Sequence, residues 1–295
     1  MERILNYVSD IQGDLESFLF AKGYSSAICN RLKKELGLVT VNGVSVYVKS
    51  QIKKGDIITV KLKETPKSVP KYAVPVDIVY EDEDIAVINK SPNIAVIATN
   101  AHYGKSLMNA LANIWGDFVF HPVNRLDKGT SGLMLVAKNM LAHSILSRKI
   151  EQEKNLENKS VEREYLALVH GKLEGNGEII APIGQPLSDS MKRGVCEDGK
   201  YAKTIYQVLA YNDEYSLVKL HLITGRTHQI RVHMSYINHP LVGDDLYGGK
   251  VFEISRPCLH STSIGFIHPI TNEKMHFDID MPEDMKELVE KLNIT

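Results

Sequence analysis

The chain has 295 residues, of which 43% are hydrophobic, and a formal net charge of -1. This composition indicates an ordinary globular protein with a sizeable core. No apolar run approaches the roughly 18 residues that a membrane span requires, and the charged start Met1-Glu2-Arg3 is unlike a secretory signal. We therefore expect a cytoplasmic protein with no membrane association.

Charge and cysteine content narrow the possible partners. Residues 1–70 hold 11 Lys and Arg against 7 Asp and Glu, a net charge of +4, and the rest of the chain carries -5. Such asymmetry favours contact between the basic segment and a polyanion, although exposed lysines are also common on ordinary solvated surfaces. The three cysteines, Cys29, Cys196 and Cys258, are far apart in sequence, so neither a disulfide framework nor a zinc site is predicted.

The first predicted domain, residues 1–64, has the order helix, helix, strand, strand. The second helix, over residues 24–35, takes Ser25 or Ser26 as its N-cap. Its basic side chains are predicted to face solvent; they are Arg31, Lys33 and Lys34.

A hairpin follows, since Asn42-Gly43 supplies the positive φ angles of a two-residue turn, and residues 57–62 form a further strand. This order, with Val-Asn-Gly and Lys-Gly-Asp at their spacings, resembles the small alpha-L RNA-binding domain. The resemblance assigns the basic residues of the second helix to RNA binding. A generic α+β accessory domain is the alternative.

Residues 65–75 are rich in proline and have no apolar period, which predicts an extended linker and two domains that move relative to each other. The second domain, residues 76–295, begins with two strands over residues 78–80 and 85–90. Asn93 follows them and is well suited to a left-handed turn.

Residues 121–132 combine Pro, Gly and hydroxyl side chains, which predicts a loop that enters a buried strand over residues 133–138. Asp127 lies on this loop, between Arg125 and a Gly-Thr-Ser-Gly turn. The cation and the donors of the turn would hold the carboxylate ionised and present it to a cleft. Alternatively, Asp127 only caps the turn.

Two later segments also carry candidate residues. Residues 162–171 predict a strand that contains Tyr165, which is either a functional residue or an ordinary half-buried one. Residues 224–234 place Arg226 on a Gly turn before a helix that begins near His228. His228 and His233 are five residues apart, so they share a helix face poorly and no metal pair is expected; hydrogen bonding is the predicted role of His-Gln at the helix start.

These segments carry a resemblance to one family. Asn124-Arg125-Leu126-Asp127, followed by Thr130-Ser131-Gly132, resembles the His-Arg-Leu-Asp-x-x-Thr-Ser-Gly motif of the RluA-type pseudouridine synthases, with Asn in place of His. Residues 224–231 resemble the family motif Thr-Gly-Arg-x-His-Gln-x-Arg. The resemblance covers residues 76–282 and implies an α+β fold with a mixed, mainly antiparallel sheet.

The resemblance also implies residue roles. Asp127 becomes the catalytic carboxylate, as nucleophile or as ribose-activating base, and Arg226 its ion-pair partner. Tyr165 would stack on the flipped base and help to take the proton lost from C5. The implied substrate-binding residues are Arg125, Thr130 and Leu259. Leu259 matches an apolar residue that lines the uracil pocket, or it is plain core.

The implied reaction is isomerisation of uridine to pseudouridine in structured RNA, which we expect to be large-subunit ribosomal RNA, with transfer RNA as the alternative. No cofactor and no metal are expected, and the protein is predicted to be a monomer. The motif has no second carboxylate beside Asp127, which counts against simple glycoside hydrolysis and therefore against a base-excising hydrolase. A non-catalytic RNA-binding or ribosome-assembly factor on the same fold is the other alternative, favoured if Asn124 marks a decayed site.

Overall fold

The computed structural model of the protein describes residues 2–66, 68–97, 103–152, 161–185, 192–250 and 254–294. Residues 2–63 form an N-terminal lobe. Its elements are β1 (Glu2–Val8), β2 (Gly13–Asp14), α1 (Leu15–Ala21), α2 (Ser26–Leu32), β3 (Val39–Val41), β4 (Val44–Ser45), β5 (Gln51–Ile52) and β6 (Ile57–Lys63).

The N-terminal lobe packs its two helices against an antiparallel sheet of order β1-β6-β3-β4. Asp14 caps α1 and Ser25 caps α2, each by accepting a backbone N–H, which supplies a partner that the first turn of a helix lacks. Asn42 and Gly43 have φ of 50° and 80°, so the predicted hairpin turn is confirmed. The strand β1 was not predicted, because Leu5 is its only buried residue and its pairing partner β6 lies about fifty residues later in the chain.

The remaining elements form a large lobe. They are β7 (Asp77–Glu81), β8 (Ile85–Lys90), α3 (Leu107–Trp115), β9 (His121–Pro122), β10 (Ser131–Ala137), α4 (Met140–Gln152), β11 (Val161–His170), β12 (Asn176–Ile180), β13 (Ile183–Gly184), β14 (Gly194–Val195), β15 (Lys203–Tyr211), β16 (Tyr215–Leu222), α5 (Gln229–Tyr236), β17 (Leu259–Ile267), β18 (Lys274–Asp278) and α6 (Glu283–Lys291). Among the described residues, no helix has the length and apolar character that a membrane crossing requires.

The large lobe is built on a ten-stranded sheet of order β12-β15-β16-β11-β17-β10-β8-β7, with β18 beside β17 and β9 beside β10. Its described pairs are antiparallel except β10 with β17, which is parallel. The predicted α+β class with a mixed, mainly antiparallel sheet is therefore confirmed. Asn93 adopts φ of 63°, as predicted for the turn after β8.

The central strand β10 is buried along its whole length, as its continuous apolar run predicts. Met134 and Val136 belong to the core on one face of the sheet, which α3 covers. Leu133 and Leu135 belong to the core on the other face, where Leu146 of α4 packs. Because both faces are filled, β10 gives the loop before it a rigid anchor.

The two lobes make direct contacts. Leu141 of α4 is fully buried within the core of the N-terminal lobe. Arg3 forms a bidentate ion pair with Asp84, with both N–O distances at 2.9 Å. Glu64 accepts a hydrogen bond from the Met140 backbone N–H at 2.9 Å and pairs with His121 at 2.7 Å.

The linker over residues 65–75 has no helix or strand among its described residues, in line with its prolines. It is nevertheless held, because Asn109 Nδ2 donates to the Pro70 carbonyl at 2.7 Å. The contacts between the lobes argue against the mobility that the linker composition suggested. The domain boundaries at residues 64 and 76 stay a prediction.

Candidate active site

Asp127 lies on the loop between β9 and β10 and lines a cleft of about 690 Å³. The Thr130 backbone N–H donates to the Asp127 carbonyl at 3.1 Å and closes a turn. Gly132 has φ of +106°, and a Cβ there would lie 2.2 Å from the Ser261 carbonyl oxygen. Only glycine fits where β10 and β17 approach so closely. This contact fixes the point at which the Asp127 loop enters the sheet.

The Asp127 carboxylate pairs with Arg231, whose Nη1 lies 3.3 Å from Oδ2. Arg231 is itself held by Asp244 through two hydrogen bonds of 2.7 and 2.8 Å. The Asp244 side chain is fully buried, so this fork geometry sets the plane of the guanidinium. The Arg231 guanidinium, held in this plane, in turn orients the Asp127 carboxylate.

The predicted ion pair between Asp127 and Arg226 is wrong. Arg226 lines the same cleft, but its Nε donates to the Tyr201 carbonyl at 3.0 Å. The reason is position: Arg226 precedes α5 on the turn, whereas Arg231 lies inside α5 and is buried. The sequence did contain a clue, because an Arg between Ile230 and Val232 on a core-facing helix requires a carboxylate partner.

His228 also lies beside Asp127, with its Nε2 3.9 Å from Oδ2. Its backbone adopts φ of 57° just before α5, and its Nδ1 lies 2.9 Å from the Tyr247 hydroxyl. The Tyr247 oxygen already accepts the Arg193 backbone N–H, so its own hydrogen is free to donate to Nδ1. Burial lowers the pKa of His228, which favours the neutral form of the ring.

The Gln229 side chain has the predicted structural role. Its Oε1 accepts from the Arg226 backbone N–H at 2.9 Å and from the Thr224 hydroxyl at 2.7 Å. Its Nε2 donates to the Lys203 carbonyl and the Thr204 hydroxyl, both at 3.0 Å. Gln229 thus ties the turn before α5 to the sheet, and the whole turn is positioned by one amide.

Asn124 replaces the His of the family motif without leaving its loop loose. Its Oδ1 accepts the Leu135 backbone N–H at 2.8 Å, and the residue is buried. The Asp127 loop is therefore attached to β10 by a side-chain hydrogen bond as well as by the chain. This arrangement gives no support to the interpretation that Asn124 marks a decayed site.

The six residues predicted for catalysis and substrate binding lie around one small pocket beside the cleft. They are Arg125, Asp127, Thr130, Tyr165, Arg226 and Leu259. Tyr165 and Leu259 are each 4% exposed, and burial raises the pKa of the Tyr165 phenol. The pocket thus combines apolar and aromatic walls with one carboxylate, as a site for a flat, neutral base requires. The sequence missed Arg231, His228 and Tyr247, which complete the surroundings of Asp127.

The predicted RNA-binding residues of the N-terminal lobe differ in solvent exposure and in ion pairing. Helix α2 ends at Leu32, three residues earlier than predicted, so Lys33 is its C-cap and Lys34 follows it. Arg31 and Lys34 are exposed and border a shared hollow. Lys33 instead forms an ion pair with Glu16 at 2.6 Å and is partly buried.

Comparisons with known proteins agree with this fold and site. The family model described as RNA pseudouridylate synthase matches residues 84–236. The uncharacterized RNA pseudouridine synthase YjbO of Bacillus subtilis (strain 168) is 43% identical over 278 residues, 92% of this chain and 96% of the relative. The ribosomal large subunit pseudouridine synthase D of Vibrio cholerae is 37% identical over 281 residues, 88% of this chain and 85% of the relative.

A solved structure named Human RNA Pseudouridylate Synthase Domain Containing 1 aligns with a TM-score of 0.57 and 27% identity, over 79% of this chain and 98% of that one. Together with the family match, these relatives place the chain in the RNA pseudouridine synthase family. The protein is accordingly an RNA-modifying isomerase.

Proposed function

We propose that this protein converts uridine to pseudouridine in ribosomal RNA of the large subunit, with Asp127 as the catalytic carboxylate. The single observation that carries the proposal is the pairing of Asp127 with the Asp244-held Arg231 at the edge of a pocket walled by Tyr165 and Leu259. The choice of ribosomal RNA follows the name of the relative from Vibrio cholerae.

The reaction breaks the bond between N1 of the base and C1′ of the ribose, turns the base, and joins C5 to C1′; C5 then loses its proton and N1 gains one. The Asp127 carboxylate either attacks C1′ or removes a proton from the ribose, and both schemes need an ionised, oriented oxygen. Arg231 and His228 supply that orientation from one side, which leaves the opposite lobe of the carboxylate for the substrate. The product has the same atoms as the substrate, so no redox partner is consumed.

Tyr165 serves in this proposal as a stacking surface for the extruded base. Its buried phenol has a raised pKa, so it stays neutral at neutral pH and is a poor proton acceptor. Removing a base from its stack costs a few kcal/mol, roughly, which contacts with Tyr165 and Leu259 offset. The detached base is retained by the same walls while it turns.

Arg125, Thr130 and Arg226 are proposed to contact the substrate from the rim of the pocket. Arg31 and Lys34 of the N-terminal lobe are proposed to contact phosphates of the same RNA. The monomeric state stays a prediction. The cytoplasmic location stays a prediction.

The test compares pseudouridine maps of ribosomal and transfer RNA from cells with and without the protein, read by chemical labelling of pseudouridine. We expect at least one large-subunit uridine to lose its label in the deletion and to regain it when purified protein is added to the extracted RNA. Identical maps, with purified protein that still binds the RNA, would instead support the non-catalytic RNA-binding factor. Release of free uracil would indicate a hydrolase.

A further inference from the structure

Arg163 of β11 is a buried cation that lacks a protein partner among the described residues. Its residue exposure is 7%, and its Nε is shielded from solvent with no hydrogen-bond partner. Arg163 and Tyr165 alternate along β11, so both side chains face the same side of the sheet. That side is the cleft, which Arg163 lines together with Asp127.

The other buried arginines of the described chain are fully engaged. Arg231, at 8% exposure, holds Asp244 and Asp127. Arg256, at 3%, forms a bidentate pair with Asp284 and also donates to the Pro257 carbonyl. A guanidinium stays charged at any physiological pH, and burying a charge without a counter-ion costs several kcal/mol, roughly. Arg163 bears part of this cost at its shielded Nε, and an anionic ligand in the cleft would offset it.

The surroundings of Arg163 leave room for such a ligand. Gly225 lies on the turn before α5, and a Cβ at that position would be 3.0 Å from Arg163 Nη1. The absence of a side chain at Gly225 lets the guanidinium lie against the backbone of the turn. The cleft around it is cationic, with Arg125, Lys128, Arg193 and Arg226 in its wall against the carboxylates of Asp127 and Glu151.

We propose that Arg163 binds a phosphate of the RNA next to the uridine held at Asp127. A phosphate carries a full negative charge and accepts two parallel N–H donors from a guanidinium, whereas uracil is neutral and offers only carbonyl oxygens. Because Arg163 stands two residues from Tyr165 on one strand, one rigid element would hold both the base and its backbone. This inference rests on the proposed function, since it takes RNA as the ligand.

The first test measures RNA binding against salt concentration, with a synthetic hairpin that carries the mapped uridine. All proteins carry Asp127→Asn, so no turnover occurs. Arg163→Gln should weaken binding about tenfold at 0.1 M salt. It should also make the slope of log K against log salt shallower by about 0.7–0.9, the share of one phosphate.

Two further variants and a stability measurement serve as controls. Arg163→Lys should retain the salt slope, and Lys274→Gln, which removes an exposed charge on β18, should change neither slope nor affinity. Arg163→Gln should not lower the melting temperature of the free protein, because it removes an unpaired buried charge. A lower melting temperature with an unchanged salt slope would overturn the proposal and make Arg163 a structural residue.

The second test locates the phosphate. Neutral methylphosphonates replace, one at a time, the phosphates on either side of the target uridine, with a 2′-O-methyl group on the preceding nucleotide in every probe. At one of the two positions, the neutral group should weaken RNA binding about tenfold for the protein that retains Arg163. The same group should change the RNA affinity of Arg163→Gln by no more than about twofold. Equal losses of RNA affinity for both proteins at both positions would overturn the assignment. Inorganic phosphate that competes equally with the two methylphosphonate RNAs would indicate an unspecific anion site.

The two proposals fail in distinguishable ways. If the RNA maps show no uridine that depends on the protein, the proposed function fails, and the salt slopes are then measured on total ribosomal RNA. A shallower slope for Arg163→Gln on that RNA keeps Arg163 as a phosphate contact. If the maps show the uridine but the slopes coincide, only the Arg163 proposal fails.

Discussion

The α5 side and the β11 side of the cleft each hold a buried arginine, and the two differ in pairing. Arg231 on α5 is bound by Asp244 and by Asp127, whereas Arg163 on β11 has no partner among the described residues. The ion pairs of Arg231 with Asp127 and Asp244 are present without RNA, as the proposed role of Asp127 as a preorganised catalytic carboxylate requires. The β11 side carries a guanidinium that no described residue compensates and that an anionic ligand could pair with. If both proposals hold, two arginines of similar burial serve chemistry on one side of the site and RNA recognition on the other.

The largest expected effect on activity comes from removing the negative charge of Asp127. Asp127→Asn keeps the shape of the side chain and should reduce pseudouridine formation by at least about 10²–10⁴-fold, because the reacting oxygen loses its charge. RNA affinity should stay within about threefold. Single-turnover assays with labelled RNA measure the first quantity, and filter binding measures the second. Asp278→Asn, an exposed change on β18, is the control, and substantial activity in Asp127→Asn would remove the catalytic assignment.

The second prediction tests whether Asp244 affects turnover by orienting Arg231 or only through the stability of the protein. Asp244→Asn leaves Arg231 buried with one partner fewer and should lower the free energy of unfolding by about 3–5 kcal/mol. Turnover should fall as well, since the Arg231 plane that aims Asp127 is no longer fixed. Asp284→Asn removes the partner of the buried Arg256 and should destabilise without changing turnover at a permissive temperature. Equal turnover in the two variants would show that Asp244 does not act through Arg231.

The third effect concerns the β10–β17 contact beneath the Asp127 loop. Burial, with the nearby charge of Arg256, lowers the pKa of His260 to about 4. A histidine in an unfolded chain has a pKa of about 6.5, so between the two pKa values the unfolded chain binds a proton at His260 and the folded protein does not. Stability should therefore fall as the pH drops, by about 2 kcal/mol from pH 7 to pH 5 on account of His260.

Urea unfolding of the wild type and His260→Gln at both pH values measures this dependence. The variant should lose about 2 kcal/mol less than the wild type over the same interval. Parallel losses in the two proteins would show that His260 is not held neutral in the fold.

The smallest effect extends the comparison of paired and free cations to the N-terminal lobe. Arg31→Gln combined with Lys34→Gln should make the salt slope of RNA binding shallower by about 0.7–0.9 for each phosphate that the double variant no longer binds. Lys33→Gln is the matched change in the same segment, and it should have little effect because Glu16 already engages Lys33. If Lys33→Gln changed the salt slope as much as the loss of Arg31 or Lys34 does, the ion pair with Glu16 would not keep Lys33 from binding RNA.

Local sequence patterns predicted those strands and turns whose conformation depends on residues close together in the chain. The apolar run over residues 133–138 indicated the buried strand β10, and Asn42-Gly43 indicated the hairpin. The six residues that the family resemblance implied for catalysis and substrate binding lie around one small pocket. Strand β1 was missed, since its formation depends on pairing with the distant β6.

The ion-pair partner of Asp127 shows where local patterns stop. The family resemblance assigned the ion pair to Arg226, on the turn, whereas the structure pairs Asp127 with Arg231 of α5. The choice depends on Asp244, which lies 13 residues beyond Arg231 and reaches it only because the chain folds back onto α5. The unpaired state of Arg163 was equally invisible, because a lack of partners is a property of the folded neighbourhood.

The sequence by itself determined the family, the mainly antiparallel fold and the place of Asp127 on a loop before a buried strand, because periodicity and short motifs are local. The tertiary structure decided which guanidinium neutralises that carboxylate, which cation remains available, and how the two lobes contact each other. Electrostatic pairing acts over a few ångströms in space and not along the chain, so these decisions required the folded arrangement.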